Sequence, residues 1–172
     1  AKNPPDTSTD PENGLWKCDI PGRGWWSPIV WDDRIFLTTV LNTGESEPAK
    51  KGLYFGGDRK KPPESVHQWK ACCLDFETGD VLWERLLHEG VPETSRHIKN
   101  SYASETPVTD GRHVYAYFGD LGLFCLDMDG NEVWRKELPP VRMQAGWGTA
   151  SSPVLYDDRL YIVNDNKDES WL

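Results

Sequence analysis

The sequence predicts an all-β chain, a partial β-propeller of four-stranded antiparallel blades, on three observations. Three segments align without gaps on a shared proline: Ser27-Pro28 through Leu37, Thr106-Pro107 through Ala116, and Ser152-Pro153 through Ile162. A second element follows the first two copies, Cys73 through Trp83 and Cys125 through Trp134, and ends each time on a tryptophan. The composition, 37% hydrophobic and 12% aromatic with nine Trp, allows a packed core without any long apolar run. A single small sheet cannot bury both faces, so repeated sheets must stack on their neighbours.

Residues 1–13 read as an irregular segment, and Gly14-Leu15-Trp16-Lys17 matches only the tail of the second element. That tail is the last strand of a preceding blade. A first blade spans about residues 25–87, with Asp32-Asp33 at its first turn and a loop insertion over 42–63 rich in Lys, Gly, Glu and Pro. A second blade spans 102–138, and Asp110-Gly111 is its hairpin signal, because glycine supplies positive φ without a Cβ clash. A third, over 150–172, repeats the turn at Asp157-Asp158 and is truncated in its third strand at Trp171-Leu172. Two hairpins per unit of about 45 residues is a propeller blade. About two and a half blades cannot close, so the expectation is a fragment of a ring of about seven or eight blades, with neighbouring blades as missing partners. A β-sandwich with coincidentally similar turns is the competing reading.

Other classes fall away on composition. A net charge of −9 argues against a nucleic-acid partner, whose phosphates need a basic face. Lys50-Lys51 and Arg59-Lys60-Lys61 are too short and too diluted by acids to supply one. No apolar run reaches membrane-spanning length. Cys18, Cys72, Cys73 and Cys125 contain no Cys-x-x-Cys pair, the four His are scattered, and no metal site is expected. No basic-then-apolar leader opens the sequence, which leaves a cytosolic protein or one whose leader has been removed.

The candidate chemistry lies in the loops that feed each blade's first, innermost strand. Gly22 to Pro28 offers Trp25 and Trp26, and Gly146 to Pro153 offers Trp147, flat indoles beside glycines that let a ligand approach. The bland alternative is that these indoles wedge blades apart. Between them, 95–107 holds Asn100, Ser101 and Ser104, oxygen donors for a cation or a polar ligand, with His97 or Glu105 as a base. Here the bland alternative is a solvated loop with local caps.

Cys73-x-Asp75-x-x-Thr78-Gly79-x-x-x-Trp83 resembles the tryptophan-docking motif of the pyrroloquinoline quinone (PQQ) type propeller repeats. The second copy, Cys125 to Trp134, matches it with one turn residue fewer and no threonine. The resemblance implies that Trp16, Trp83 and Trp134 pack between blades, stacking on glycine turns such as Gly79 and Gly130. It also implies export to the periplasm or beyond. The family holds non-catalytic propellers, including an outer-membrane protein assembly lipoprotein, as well as calcium- and PQQ-dependent alcohol and sugar dehydrogenases. The first expectation is therefore a binding or scaffold module for a protein or a small polar ligand. A quinoprotein dehydrogenase, with the quinone on Trp25, Trp26 or Trp147, is the alternative. A weaker third possibility is a domain displayed beside a catalytic module. Some quinoproteins stack a vicinal disulfide on the cofactor, but strand alternation sends Cys72 and Cys73 to opposite faces, as small strand residues.

Overall fold

The computed structural model describes residues 14–45, 61–166 and 168–172, so the expectation for residues 1–13 lies outside the described residues. Four antiparallel strands meander through the first blade: β1 (Ile29–Trp31), β2 (Arg34–Asn42), β3 (His67–Asp75) and β4 (Val81–Gly90). The second blade repeats the order with β5 (Val108–Thr109), β6 (His113–Phe118), β7 (Gly122–Asp127) and β8 (Glu132–Glu137). A third, two-stranded sheet pairs β9 (Val154–Tyr156) with β10 (Arg159–Tyr161). There is no α-helix among the described residues. β5 lies beside both β1 and β9, so the first strands of successive sheets adjoin, as blades do around a propeller axis. The chain is a segment of a β-propeller.

The proline alignment is a structural register. Its fourth position after the proline is Asp32, Gly111 or Asp157, and all three adopt positive φ, at 51°, 82° and 55°. Each sits in the turn between a blade's first two strands. Trp31 pairs with Arg34 and Tyr156 with Arg159, and the Asp110 N–H donates to the His113 carbonyl at 3.3 Å. The second element repeats just as closely. Both blades shift register between the third and fourth strands at the same place, after Cys73–Trp83 and after Cys125–Trp134. Asp75 Oδ1 accepts the Glu77 and Thr78 N–H groups at 2.9 and 2.8 Å. Asp127 Oδ1 accepts those of Asp129 and Asn131 at 3.0 and 2.8 Å, which closes the shorter turn equally well.

Two departures from expectation have local causes. Asn42 belongs to β2 rather than to the insertion, and Thr43 ties the loop's stem to Val66, its N–H and its hydroxyl donating to the Val66 carbonyl at 3.0 and 2.9 Å. Residues 46–60 of the insertion lie outside the described residues. The third strand expected at Trp171-Leu172 is a single antiparallel bridge, Asn164 to Trp171. There Asn166 Oδ1 takes the Asp168 and Glu169 N–H groups at 2.8 and 3.0 Å, a side-chain turn that competes with a ladder.

The main core lies between blades rather than within one. Phe36, Val40, Trp69, Ala71, Cys73, Trp83 and Leu87 of the first blade pack on Val114, Ala116, Phe118, Phe124 and Leu126 of the second. The first blade's other face, Leu37, Cys72 and Leu74, is covered by Cys18, Ile20, Trp26 and Ile35. Cys72 and Cys73 thus serve different cores as free thiols, and burial pushes them up to about 12 and about 11. Raised thiols are poor nucleophiles.

Indoles clamp the turns. Trp16 covers Gly79 so closely that a Cβ there would come within 2.3 Å of the ring, and its Nε1 donates to the Phe76 carbonyl at 2.9 Å. Trp83 lies on Gly130 in the same way, its Nε1 donating to the Met128 carbonyl at 2.9 Å. Arg34 Nη1 donates to that same carbonyl at 2.6 Å, and Arg85 Nη2 donates to the Asp129 carbonyl at 3.1 Å. A further clamp, unforeseen in the sequence, sets Trp31 on Gly111. Trp134 remains 42% exposed beside Tyr115, and none of the described glycine turns meets it.

Trp83→Ala is expected to cost about 3–5 kcal/mol in urea unfolding, with a large share from the interblade core. Gly130→Ala should also destabilise, because it adds a Cβ at φ 80° against the Trp83 ring. Equal unfolding midpoints for Gly130→Ala and the parent would refute the clamp.

Candidate functional site

The meander sends all the long connections to one end of the blades and the clamped turns to the other. Loops 22–28, 91–107 and 138–153 therefore gather over the strands' loop end and interlock. The Trp25 N–H donates to the Ala103 carbonyl at 3.0 Å, and Ser101 Oγ donates to the Arg23 carbonyl at 3.0 Å. The His97 N–H donates to the Trp147 carbonyl at 3.1 Å. Asn100 Nδ2 donates to the carbonyls of Trp147 and Thr149 at 2.8 and 3.2 Å. Its Oδ1 accepts the Ser101 N–H at 2.8 Å and the Ser104 hydroxyl at 2.5 Å.

The residue before each shared proline explains why a hydroxyl recurs there. The Ser27 N–H donates to Thr106 Oγ1 at 3.2 Å, and the Thr106 N–H donates to Ser152 Oγ at 2.9 Å. One blade's backbone is thus received by the next blade's side chain. The Ser/Thr-Pro pairs were visible as a motif, but their partners were not, since they lie a whole blade away.

Glu105 is buried and faces the third blade. Thr149 donates its hydroxyl to Oε1, the Ser104 N–H donates to Oε2 at 3.1 Å, and Gly119 adds a backbone bond. Burial pushes the carboxyl up to about 7 against these bonds. Asp120, also raised by burial, receives the Thr94 hydroxyl and N–H. Tyr117 is pushed up to about 12 by burial and the charges of Glu105 and Asp120. His97 is half-buried with its ring edge-on to Trp147 at 6.4 Å, and its Nδ1 accepts the Lys99 N–H at 3.1 Å.

The three indoles differ. Trp25 and Trp147 are 54% and 62% exposed, whereas Trp26 is half-buried and packs against both cores. Gly24 makes room for it, since a Cβ there would meet Trp26 Nε1 at 1.9 Å. A cavity of about 440 Å³ opens at the same end, bordered by Arg23, Lys61, Arg96 and His67. Sequence reading passed over it because its walls come from four separate segments.

Comparison with known proteins places this geometry in a family. The family model described as outer membrane protein assembly factor BamB, of the PQQ repeat type, matches residues 67–168. The crystal structure of BamB from Moraxella catarrhalis resembles the chain with a TM-score of 0.51 and 16% sequence identity. The similarity covers 86% of this chain and 33% of that one, so the chain spans about a third of its length. No curated protein matches.

Glu105 generates a pH dependence of defined sign. Its folded value of about 7 lies above the ordinary 4.5, so the folded state holds the proton between them. Its contribution is complete below the ordinary value and lost as pH rises through about 7, by about 3 kcal/mol. Glu105→Gln is expected to flatten the fall in stability across that window in urea titrations. Thr106→Ala should cost about 1 kcal/mol and Thr106→Ser much less, because only the hydroxyl receives Ser27.

Proposed function

The chain belongs to the outer membrane protein assembly factor BamB family of PQQ-type repeats, and from that premise we propose that it is a non-catalytic scaffold that binds protein. Its compartment is the periplasm and its work is in outer-membrane protein assembly. One arrangement carries the reading. The convergent loops spend their polar side chains on one another yet leave Trp25 and Trp147 open on either side of 95–104. Exposed indoles on a rigid frame suit a protein surface, because they supply large contact area with little entropy to lose. The domain limits 14–172, with blades 25–87, 102–138 and 150–172, are part of this proposal, as are the docking roles of Trp16, Trp83, Trp134, Gly79 and Gly130.

A calcium–quinone site finds less support in the same residues. Calcium takes six or more oxygen ligands. Asn100 Oδ1 and Ser104 Oγ are engaged with each other within the 95–107 loop, Ser101 Oγ donates across to the Arg23 carbonyl, and Glu105 is shut beneath Thr149. Among the described residues no group of three or more His, Cys, Asp or Glu side chains gathers around a point. The residues do not fit that cofactor, and no step of the proposed function runs through it.

The test is binding to an unfolded outer-membrane β-barrel polypeptide, read by fluorescence anisotropy. The double variant Trp25→Ala/Trp147→Ala is expected to lose at least about tenfold in affinity at an unchanged unfolding midpoint. Undiminished binding would refute the role of the indoles. Dye reduction with an alcohol or an aldose, sustained by PQQ and calcium after desalting, would refute the non-catalytic reading.

A further inference from the structure

Glu105 is buried where three elements meet, and each of them reaches its carboxyl. Its own loop, 95–107, supplies the Ser104 N–H to Oε2 at 3.1 Å. The 138–153 loop brings the Thr149 hydroxyl to Oε1, and the turn after β6 adds the backbone of Gly119. The fit is close, since a Cβ on Gly119 would come within 2.1 Å of Thr149 Oγ1. Among the described residues no Lys or Arg forms an ion pair with the carboxyl. Tyr117 of β6 feels its charge together with that of Asp120 in the following turn. Asp165 borders the same small cavity as Tyr117 and Thr149. On the two loops, Arg96 lies over the Tyr102 ring, the His97 ring meets Trp147, and Lys99 and Arg142 are exposed.

Thr149 is the part of this joint with somewhere to go. The cavity beyond it holds about 200 Å³ and has Tyr117, Asn164 and Asp165 on its walls, so a displaced Thr149 enters polar space and water follows. The same loop carries Trp147, and Asn100 Nδ2 holds the carbonyls of both residues. Its backbone is not relaxed, because Ala145 sits at a φ of 57° without the freedom of glycine. A neutral Glu105 keeps the Thr149 contact, since its own hydroxyl can donate to Thr149 Oγ1. An ionised Glu105 accepts from Thr149, Ser104 and Gly119, yet encloses a net charge with no cation paired to it. Burial outweighs those bonds and raises the carboxyl to about 7.

We propose that Glu105 is a proton-operated latch: protonated, it closes the 146–150 loop on the second blade and fixes the Trp147 indole, and ionised, it favours release of that loop. Release brings the carboxylate into water, where it ionises at its ordinary 4.5. Opening therefore gains about tenfold per pH unit from there to about 7 and levels off above. Where the indole docks a protein, the latched form is the one presented, but the latch stands without that reading.

The His97 N–H donates to the Trp147 carbonyl and so reports the loop directly. Its hydrogen exchange is followed by NMR from pH 5.5 to 7.5, corrected for the intrinsic rate and compared with amides of the β3 ladder. In the parent, the His97 opening constant is expected to rise at least about tenfold over that range, with the β3 amides far more protected throughout. In Glu105→Gln it should stay flat, and because His97 and Asp120 remain in that variant, neither can supply the difference. Thr149→Val, which removes the hydroxyl, should raise opening at pH 5.5 at least about fivefold, and Thr149→Ser should not. A rise that persists in Glu105→Gln would overturn the latch. So would a flat profile in the parent, a Thr149→Val loop as closed as the parent's, or equal protection of His97 and β3, which means unfolding of the whole blade.

Discussion

An indole laid on a glycine turn, its N–H given to a carbonyl of that turn, is the contact on which the architecture depends. Each small sheet has two apolar faces, and the main core exists only where one blade meets the next. Sliding of flat sheets over one another would leave that burial undirected. Trp83 removes the freedom, because its ring lies on Gly130 and its Nε1 donates to the Met128 carbonyl. Arg34 and Arg85 add donors to the same turn, so the clamp reads backbone as well as shape. Glycine is required at the receiving point on two grounds, a φ of 80° and the absence of space for a Cβ. Trp16 on Gly79 repeats the contact one blade earlier, and Trp31 lays its ring on Gly111 in the same manner closer to the axis.

Fixing one end of the blades releases the other. The clamped end consists of short turns whose carboxylates accept backbone N–H groups, and those groups are lowered. Thr78 is the main cause for Asp75 and Asn131 for Asp127. Asp110 reaches about 2 because bonds from Arg112, His113 and Tyr115 outweigh its burial. At the loop end the sign reverses, and burial raises Glu105 and Asp120. The two ends therefore respond to pH in opposite senses. The turns favour the fold as pH rises out of the acid range, and the loop joint favours it as pH falls below neutrality.

Legibility followed the range of the interaction. The strand–turn–strand units and the opposite faces of Cys72 and Cys73 could both be read, because each is fixed within about ten residues of chain. The extra clamp of Trp31 could not, since Gly111 lies in the next blade and nothing local marks the pair. Ser27, Thr106 and Ser152 were recognisable as a repeated residue type, but the ladder they form crosses blades. Asn100, Ser101 and Ser104 read equally as oxygen donors for a cation or polar ligand and as local caps, because a sequence lists donors without their partners. In the fold they bond to Trp147, Thr149, Arg23 and one another. Trp171-Leu172 reads on blade spacing as part of a third strand, whereas Asn166 closes a side-chain turn beside it and leaves a single bridge.

Net charge illustrates the same limit from the other side. A value of −9 argues correctly against long basic faces, which act at a distance on polyanions. It has little to say about a cavity, because salt screens exposed charges beyond about 8 Å at physiological ionic strength. Among the described residues that border the cavity, Arg23, Lys61 and Arg96 outnumber Glu45. These four side chains border one space only because β2 ends where the 22–23 and 96–102 loops cross it, a meeting set by the blade meander. An acidic protein can therefore hold a locally cationic pocket with no contradiction, provided its fold, rather than its composition, gathers the charges.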